Sequence, residues 1–133
     1  MSVIVRDDGF HAEDWTGGFA PAAANAAAPG LDLGPDADLA QLPPLDEVSV
    51  IRVSFPKFAD GRGFTLARRL RAAGYAGRLR AGGHVIADQY AMARRSGFDE
   101  VEISDDLASR QPEPHWLARA NWRAHDYRAR LKG

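Results

Sequence analysis

Apolar positions from Val48 to Ile103 alternate between two kinds of segment. Val48-Ser-Val-Ile-Arg-Val-Ser-Phe55 is rich in β-branched residues, which suit a pleated strand. Gly63 to Ala73 then places Leu66, Ala67, Leu70 and Ala73 on one side of a helix, and Gly74 stops it. Gly77-Arg-Leu-Arg-Ala81 predicts a second strand, Asp88 to Ser96 a second helix ended by Gly97, and Glu100-Val-Glu-Ile103 a third strand. The pattern is βαβαβ. Short helical crossovers between the strands favour parallel pairing with right-handed connections. Near the start, Val3 to Val5 is β-prone and Asp7-Asp8-Gly9-Phe10 suits a turn, which predicts a small hairpin. After Pro112 and Pro114, Leu117, Ala120, Ala124, Tyr127 and Leu131 recur at three and four residues, as in a helix packed on the sheet.

The expected fold class is therefore α/β: a small βαβαβ parallel-sheet unit with an N-terminal loop-rich arm and a C-terminal helix. Residues 1–16 form the N-terminal strand or hairpin, 17–47 an Ala/Pro-rich loop segment, and 48–133 the α/β core, all in one domain. Pro21, Pro29, Pro35, Pro43 and Pro44 fall in a stretch without sustained periodicity, which predicts loop from Gly17 to Pro44 with at most a helical turn around Ala22 to Ala28. The 133 residues suffice for a single core.

Charge divides the chain more sharply than its net value of -1 suggests. Residues up to Ile51 hold nine acids against Arg6, Arg52 to Arg95 hold ten bases against Asp60 and Asp88, and the remainder holds seven acids against six bases. The acidic N-terminal part opposes general nucleic-acid binding, which needs a broad basic face. There is no cysteine, so disulfides, thiolate metal sites and cysteine-ligated iron–sulfur clusters are excluded. The histidines, His11, His84, His115 and His125, lack the spacing of a metal site, so no metal and no resident cofactor is expected. Met1 to Arg6 is too short and too soon charged for a secretory signal, and no apolar run reaches the about 20 residues of a membrane span. The expected location is the cytoplasm, away from membranes.

Candidate chemistry follows the first and second predicted strands, because ligands of parallel sheets gather beyond the strands' carboxyl ends, at helix N-termini. Pro56 to Phe64 occupies that place. Gly61 and Gly63 would let the backbone approach an anion, with Lys57 and Arg62 supplying charge. The spacing matches neither a P-loop nor a dinucleotide fingerprint. The structural alternative is that Asp60 caps the helix, the glycines serve the turn, and the two cations are solvated. The second loop, Gly82-Gly-His84-Val-Ile-Ala-Asp88-Gln89, lies beside the first if the strands are neighbours. There His84 is either a titrating donor or a surface imidazole, and Asp88 a cap.

The arginines Arg68, Arg69, Arg71, Arg78, Arg80, Arg94 and Arg95 most simply form solvated faces, yet their number also suits a docking surface, for which Arg68, Arg71, Arg94 and Arg95 are the candidates. Trp116 and Trp122 cannot share the face of Leu117 and Ala124, so at least one, Trp122 among the docking candidates, is expected as an exposed anchor. A homodimer built on these tryptophans is a further alternative.

The run Phe55-Pro-Lys-Phe-Ala-Asp-Gly-Arg-Gly-Phe-Thr-Leu-Ala-Arg-Arg-Leu-Arg71, with Gly74-Tyr75, Gly77-Arg-Leu-Arg80, Val85-Ile86, Asp88-Gln89 and Gly97-Phe98-Asp99, resembles a small bacterial domain family of unknown function. Members are often labelled oxidoreductases and are encoded beside the sulfite reductase hemoprotein of assimilatory sulfate reduction. The resemblance spans about Trp15 to Ile103. His84 departs from it, standing where relatives carry an acidic or small residue, and so does the extension from Pro112. The resemblance implies a part in making sulfide for cysteine synthesis. Six-electron sulfite reduction needs a siroheme and iron–sulfur centre, which a chain without cysteine does not ligate through thiolates. An accessory protein docking to the hemoprotein fits better than a reductase. The alternative is a small anion- or phosphate-binding, oxidoreductase-like enzyme of the same pathway, holding its ligand with Lys57, Asp60, Gly61, Arg62, Gly63, His84, Asp88 and Gln89.

Overall fold

In the computed structural model, which describes residues 2–21 and 29–125, seven segments are strands of one sheet, among them the strictly alternating Glu-Val-Glu-Ile-Ser of residues 100–104. In chain order the strands are β1 (Ser2–Arg6), β2 (Gly9–His11), β3 (Ala20–Pro21), β4 (Gly30–Leu33), β5 (Val50–Phe55), β6 (Arg78–Gly83) and β7 (Glu100–Ser104). Their spatial order is β2-β1-β7-β6-β5-β4-β3. Strands β3 to β7 run parallel, while β1 pairs antiparallel with β7 and β2 antiparallel with β1. The fold is α/β with a mixed, mostly parallel sheet.

Strands β4 to β7 are neighbours in the order of the chain. Right-handed crossovers between such strands all pass over one face of the sheet, so the helices collect there. These are α1 (Arg62–Ala72), α2 (Tyr90–Ser96), α3 (Asp105–Arg110) and α4 (Glu113–Leu117). One apolar cluster fills the space beneath them: Leu31, Leu33, Ile51, Val53, Phe55, Leu79, Ala81, Val101 and Ile103 from the strands, and Phe64, Leu66, Ala67, Leu70, Tyr90, Ala93, Leu107 and Trp116 from the helical side. Both longer helices end on a left-handed glycine. Gly74 has φ +99 with Tyr75 N bonded to Leu70 O, and Gly97 has φ +115 with Phe98 N bonded to Ala93 O. Helix α3 is opened by Ser104, whose Oγ accepts from Leu107 N at 3.1 Å.

The opposite face carries the other half of each alternation: Asp32, Val50, Arg52, Ser54, Arg78, Arg80, Gly82, Glu100, Glu102, Ile4 and Arg6. No helix covers it among the described residues. Residues 12–19 cross it instead as an irregular strap, from the end of β2 at one edge to β3 at the other.

Three sequence expectations differ from what is observed. The segment expected as loop between residues 17 and 47 contains β4, whose Gly-Leu-Asp-Leu is short but pairs with β5 through four residues, Gly30 to Leu33. Following Pro112 there is a short helix, α4, and then a 3₁₀ turn at Trp122–His125 rather than one long helix; Tyr127 and Leu131, like Ala22 to Ala28, lie outside the described residues. The buried face of α4 is also not the one expected. Trp116 is in the core, edge-on to Tyr90 with its Nε1 donating to Gln111 O, while Leu117 is exposed.

Candidate functional site

The carboxyl ends of β5 and β6 lead into the two predicted loops, and these are in contact. Gln89 joins them: its Nε2 donates to Phe58 O at 2.7 Å while its Oε1 accepts from Ile86 N at 3.0 Å. The His84 backbone N donates to Phe55 O, and the His84 imidazole meets the Phe58 ring edge-on at 5.1 Å. Asp60 sits at the start of α1 and accepts from Arg62 through its backbone N at 3.1 Å, its Nε at 3.0 Å and its Nη2 at 2.7 Å. That arginine, first through its side chain and then through its backbone, pulls the Asp60 carboxyl down to about 2. Gly63 lies against the Phe55 ring, where an added Cβ would stand 2.5 Å from Cζ, whereas Gly61 faces open space. Asp88, expected as a cap, is exposed within the 3₁₀ turn Ala87–Gln89, makes no capping bond among the described residues and pairs with Arg119 at 2.8 Å instead. Lys57 is exposed and makes no side-chain hydrogen bond or ion pair among the described residues, though its charge is felt by the Asp60 carboxylate.

The basic residues do not form one patch. Arg80 is fully buried, correcting the expectation of a solvated strand arginine. It donates to Glu100 at 2.6 Å, to Glu102 at 2.7 Å and to both oxygens of Glu13. Burial opposes its charge, but the carboxylates Glu13, Glu100 and Glu102 outweigh burial and raise its pKa. Arg71 is spent on the carbonyls of Tyr75, Gly77 and Gly97 and on Asp99, so it ties the ends of α1 and α2 to the strands. Arg94 binds Asp7 and Phe98 O and lies 4.8 Å over the Trp122 ring. Trp122 is half-buried and donates to Asp7. Arg68 and Arg69, by contrast, are exposed on α1 without partners among the described residues, and Arg95 is exposed on α2 with one bond, to Trp122 O. Of the predicted docking set, Arg68 and Arg95 are displayed while Arg71 and Arg94 hold the fold together.

A second region went unnoticed in the sequence. On the helix-free face, beside the carboxyl ends of β4 to β6, a cleft of about 750 Å³ is lined by Phe19, Asp32, Arg52, Ser54, Gly82 and Glu102 among others. Arg52 crosses its floor, held by Asp32 at 2.6 and 2.7 Å and by Glu102 at 3.1 Å, with Phe19 stacked 3.9 Å above. A Cβ on Gly82 would press on the Arg52 methylenes at 3.2 Å, so glycine lets the guanidinium lie flat. The period-two charges of β5, β6 and β7 were the available signal, since a buried parallel sheet normally reads as continuous apolar runs.

A family model described as bacterial protein of unknown function (DUF934) matches residues 30–130. No curated protein and no solved structure matched the chain.

Proposed function

We propose, from the premise that the chain belongs to the DUF934 family, that it is an accessory protein of assimilatory sulfite reduction that docks to the sulfite reductase hemoprotein. The observation that supports docking is the display of Arg68, Arg69 and Arg95 on the outer faces of α1 and α2, while the neighbouring arginines are neutralised or bonded to carbonyls. Leaving cations unpaired on a surface has no value for stability, but it speeds and orients encounter with an acidic partner. Trp122, half-buried beside Arg95, gives that surface an aromatic border. The pathway itself rests on the resemblance of the Phe55 to Arg71 run, and the absence of cysteine suits a helper better than the electron-carrying enzyme.

The test is retention of the hemoprotein by the tagged chain at low salt. Arg68→Glu with Arg69→Glu should abolish retention, and raising salt should weaken the wild-type complex, because exposed charges are screened over about 8 Å at 0.15 M. Equal retention by the double variant would defeat the reading. A second reading, an anion- or phosphate-binding enzyme of the same pathway, is favoured by one observation: beside the Asp60 to Phe64 turn Lys57 is exposed, its ammonium in no hydrogen bond or ion pair among the described residues. Sulfite or phosphate binding lost in Lys57→Ala would favour it.

A further inference from the structure

The strap over the helix-free face touches every arginine beneath it. Asp14 accepts from Arg6 on β1 at 2.9 Å and from Arg78 on β6 at 2.6 Å. Glu13 closes on Arg80, one oxygen accepting from Nη2 at 2.8 Å and the other from Nη1. Phe19 stacks over Arg52 and reaches to within 5.7 Å of Arg80. These are side-chain contacts throughout. Among the described residues, 12–19 make no backbone-to-backbone bond to the strands under them, and their other bonds, such as Trp15 Nε1 to Gly18 O, are local. The strap is therefore fastened mainly by what its two carboxylates and its rings offer to guanidinium groups.

The charge count explains why that fastening matters. The sheet itself supplies Arg6, Arg52, Arg78 and Arg80 against Asp32, Glu100 and Glu102, an excess of one positive charge. Glu13 and Asp14 reverse it to one negative. Arg80 presents its planar fork to Glu13 in the bidentate manner that guanidinium uses for carboxylates and other oxyanions. Beside the strap, the cleft floored by Arg52 opens toward the carboxyl ends of the parallel strands, the usual location of ligands in such sheets.

We infer that the helix-free face is a binding site for a small anion, a carboxylate or sulfur or phosphorus oxyanion, seated on Arg78 and Arg80 and reached through the Arg52 cleft, and that Glu13 and Asp14 occupy this site as a built-in stand-in for the ligand. Binding then exchanges the strap for the anion. The site is separate from the Arg68 and Arg69 surface and does not depend on docking to a hemoprotein.

The experiment compares the wild-type chain with the variant Glu13→Gln, Asp14→Asn, which keeps shape and acceptor atoms while removing both strap charges. Calorimetric titration with sulfate, sulfite and succinate at low ionic strength should show at least one of them binding the variant 10-fold or more tightly than the wild type. Adding Arg78→Gln to the variant should remove that gain, whereas Lys57→Ala or Arg68→Glu should leave it. The wild type supplies an independent reading without any substitution: saturating sulfate or succinate, relative to equal ionic strength of chloride, should weaken the nuclear Overhauser contacts between the Phe19 ring and the Arg52 side chain, which lie 3.9 Å apart while the strap is closed. Unchanged affinity in the double variant, a gain that survives Arg78→Gln, or undiminished Phe19–Arg52 contacts in the wild type would each overturn the inference. Failure of hemoprotein retention would not touch it.

Discussion

Glu100→Gln isolates the carboxylate at the centre of the charged face. Glu100 is 2% exposed and accepts from Arg6 at 3.1 Å, Arg78 at 2.8 Å and Arg80 at 2.6 Å. The amide has nearly the same shape, so the substitution opens no cavity and removes one charge from among three guanidiniums. Removing one partner of a buried ion pair costs about 3–5 kcal/mol, because the remaining charges stay desolvated. Here the lower end applies, since Arg6 and Arg78 keep Asp14, and Arg80 keeps Glu13 and Glu102. At about 4 °C per kcal/mol for a chain of this size, a loss of about 3 kcal/mol lowers Tm by about 12 °C. The control is Asp106→Asn, which breaks the exposed Asp106–Arg110 pair at 3.0 Å and should change stability by no more than about 0.5 kcal/mol. Urea unfolding with an unchanged m-value measures both. If Glu100→Gln costs less than about 1 kcal/mol, or no more than its control, the helix-free face is not the buried electrostatic layer described here.

Tyr90→Phe removes the hydroxyl that donates to Asp7 at 2.6 Å and should cost about 1–2 kcal/mol in urea unfolding, since Asp7 keeps Arg94 and Trp122. In the wild type the Tyr90 phenol, raised first by burial and then by Asp7, should stay protonated through an alkaline titration as long as the chain remains folded. Asp60 should titrate at about 2 by carboxyl NMR and move back toward its ordinary 3.8 in Arg62→Ala. Because its folded pKa is lowered, its contribution to stability is complete above 3.8 and disappears as the pH falls through about 2. Gly63→Ala drives a methyl into the Phe55 ring and should cost about 1–3 kcal/mol, whereas Gly61→Ala, facing open space, should stay within about 0.5 kcal/mol.

Much of the α/β core was legible because its signals are local. The β-branched run to Phe55, the spacing of Leu66, Ala67 and Leu70, and the terminal glycines Gly74 and Gly97 each act within a few residues, and β5, α1, β6, α2 and β7 lie where those signals put them. The neighbouring loops carrying Asp60 and His84 follow from parallel strand order. What escaped depends on distant partners. Gly30–Leu33 is too short to announce a strand until β5 lies beside it. Arg80 reads as a surface residue until Glu13, Glu100 and Glu102 are brought around it from 67, 20 and 22 residues away. Leu117, expected on the packed face, is exposed because α4 is only five residues long and its packing is decided by Trp116 against Tyr90 rather than by the periodicity of the segment.

The position of β1 imposes an order on synthesis. Arg6 and Asp14 leave the ribosome early, yet the surface they complete exists only after Glu100 and its strand have been translated. At about 5–20 residues per second the first arm waits several seconds without its counterpart. Pairings between such remote stretches form late and slowly, since the long intervening chain must first be closed. Closing this layer thus waits on two stretches 94 residues apart finding one another.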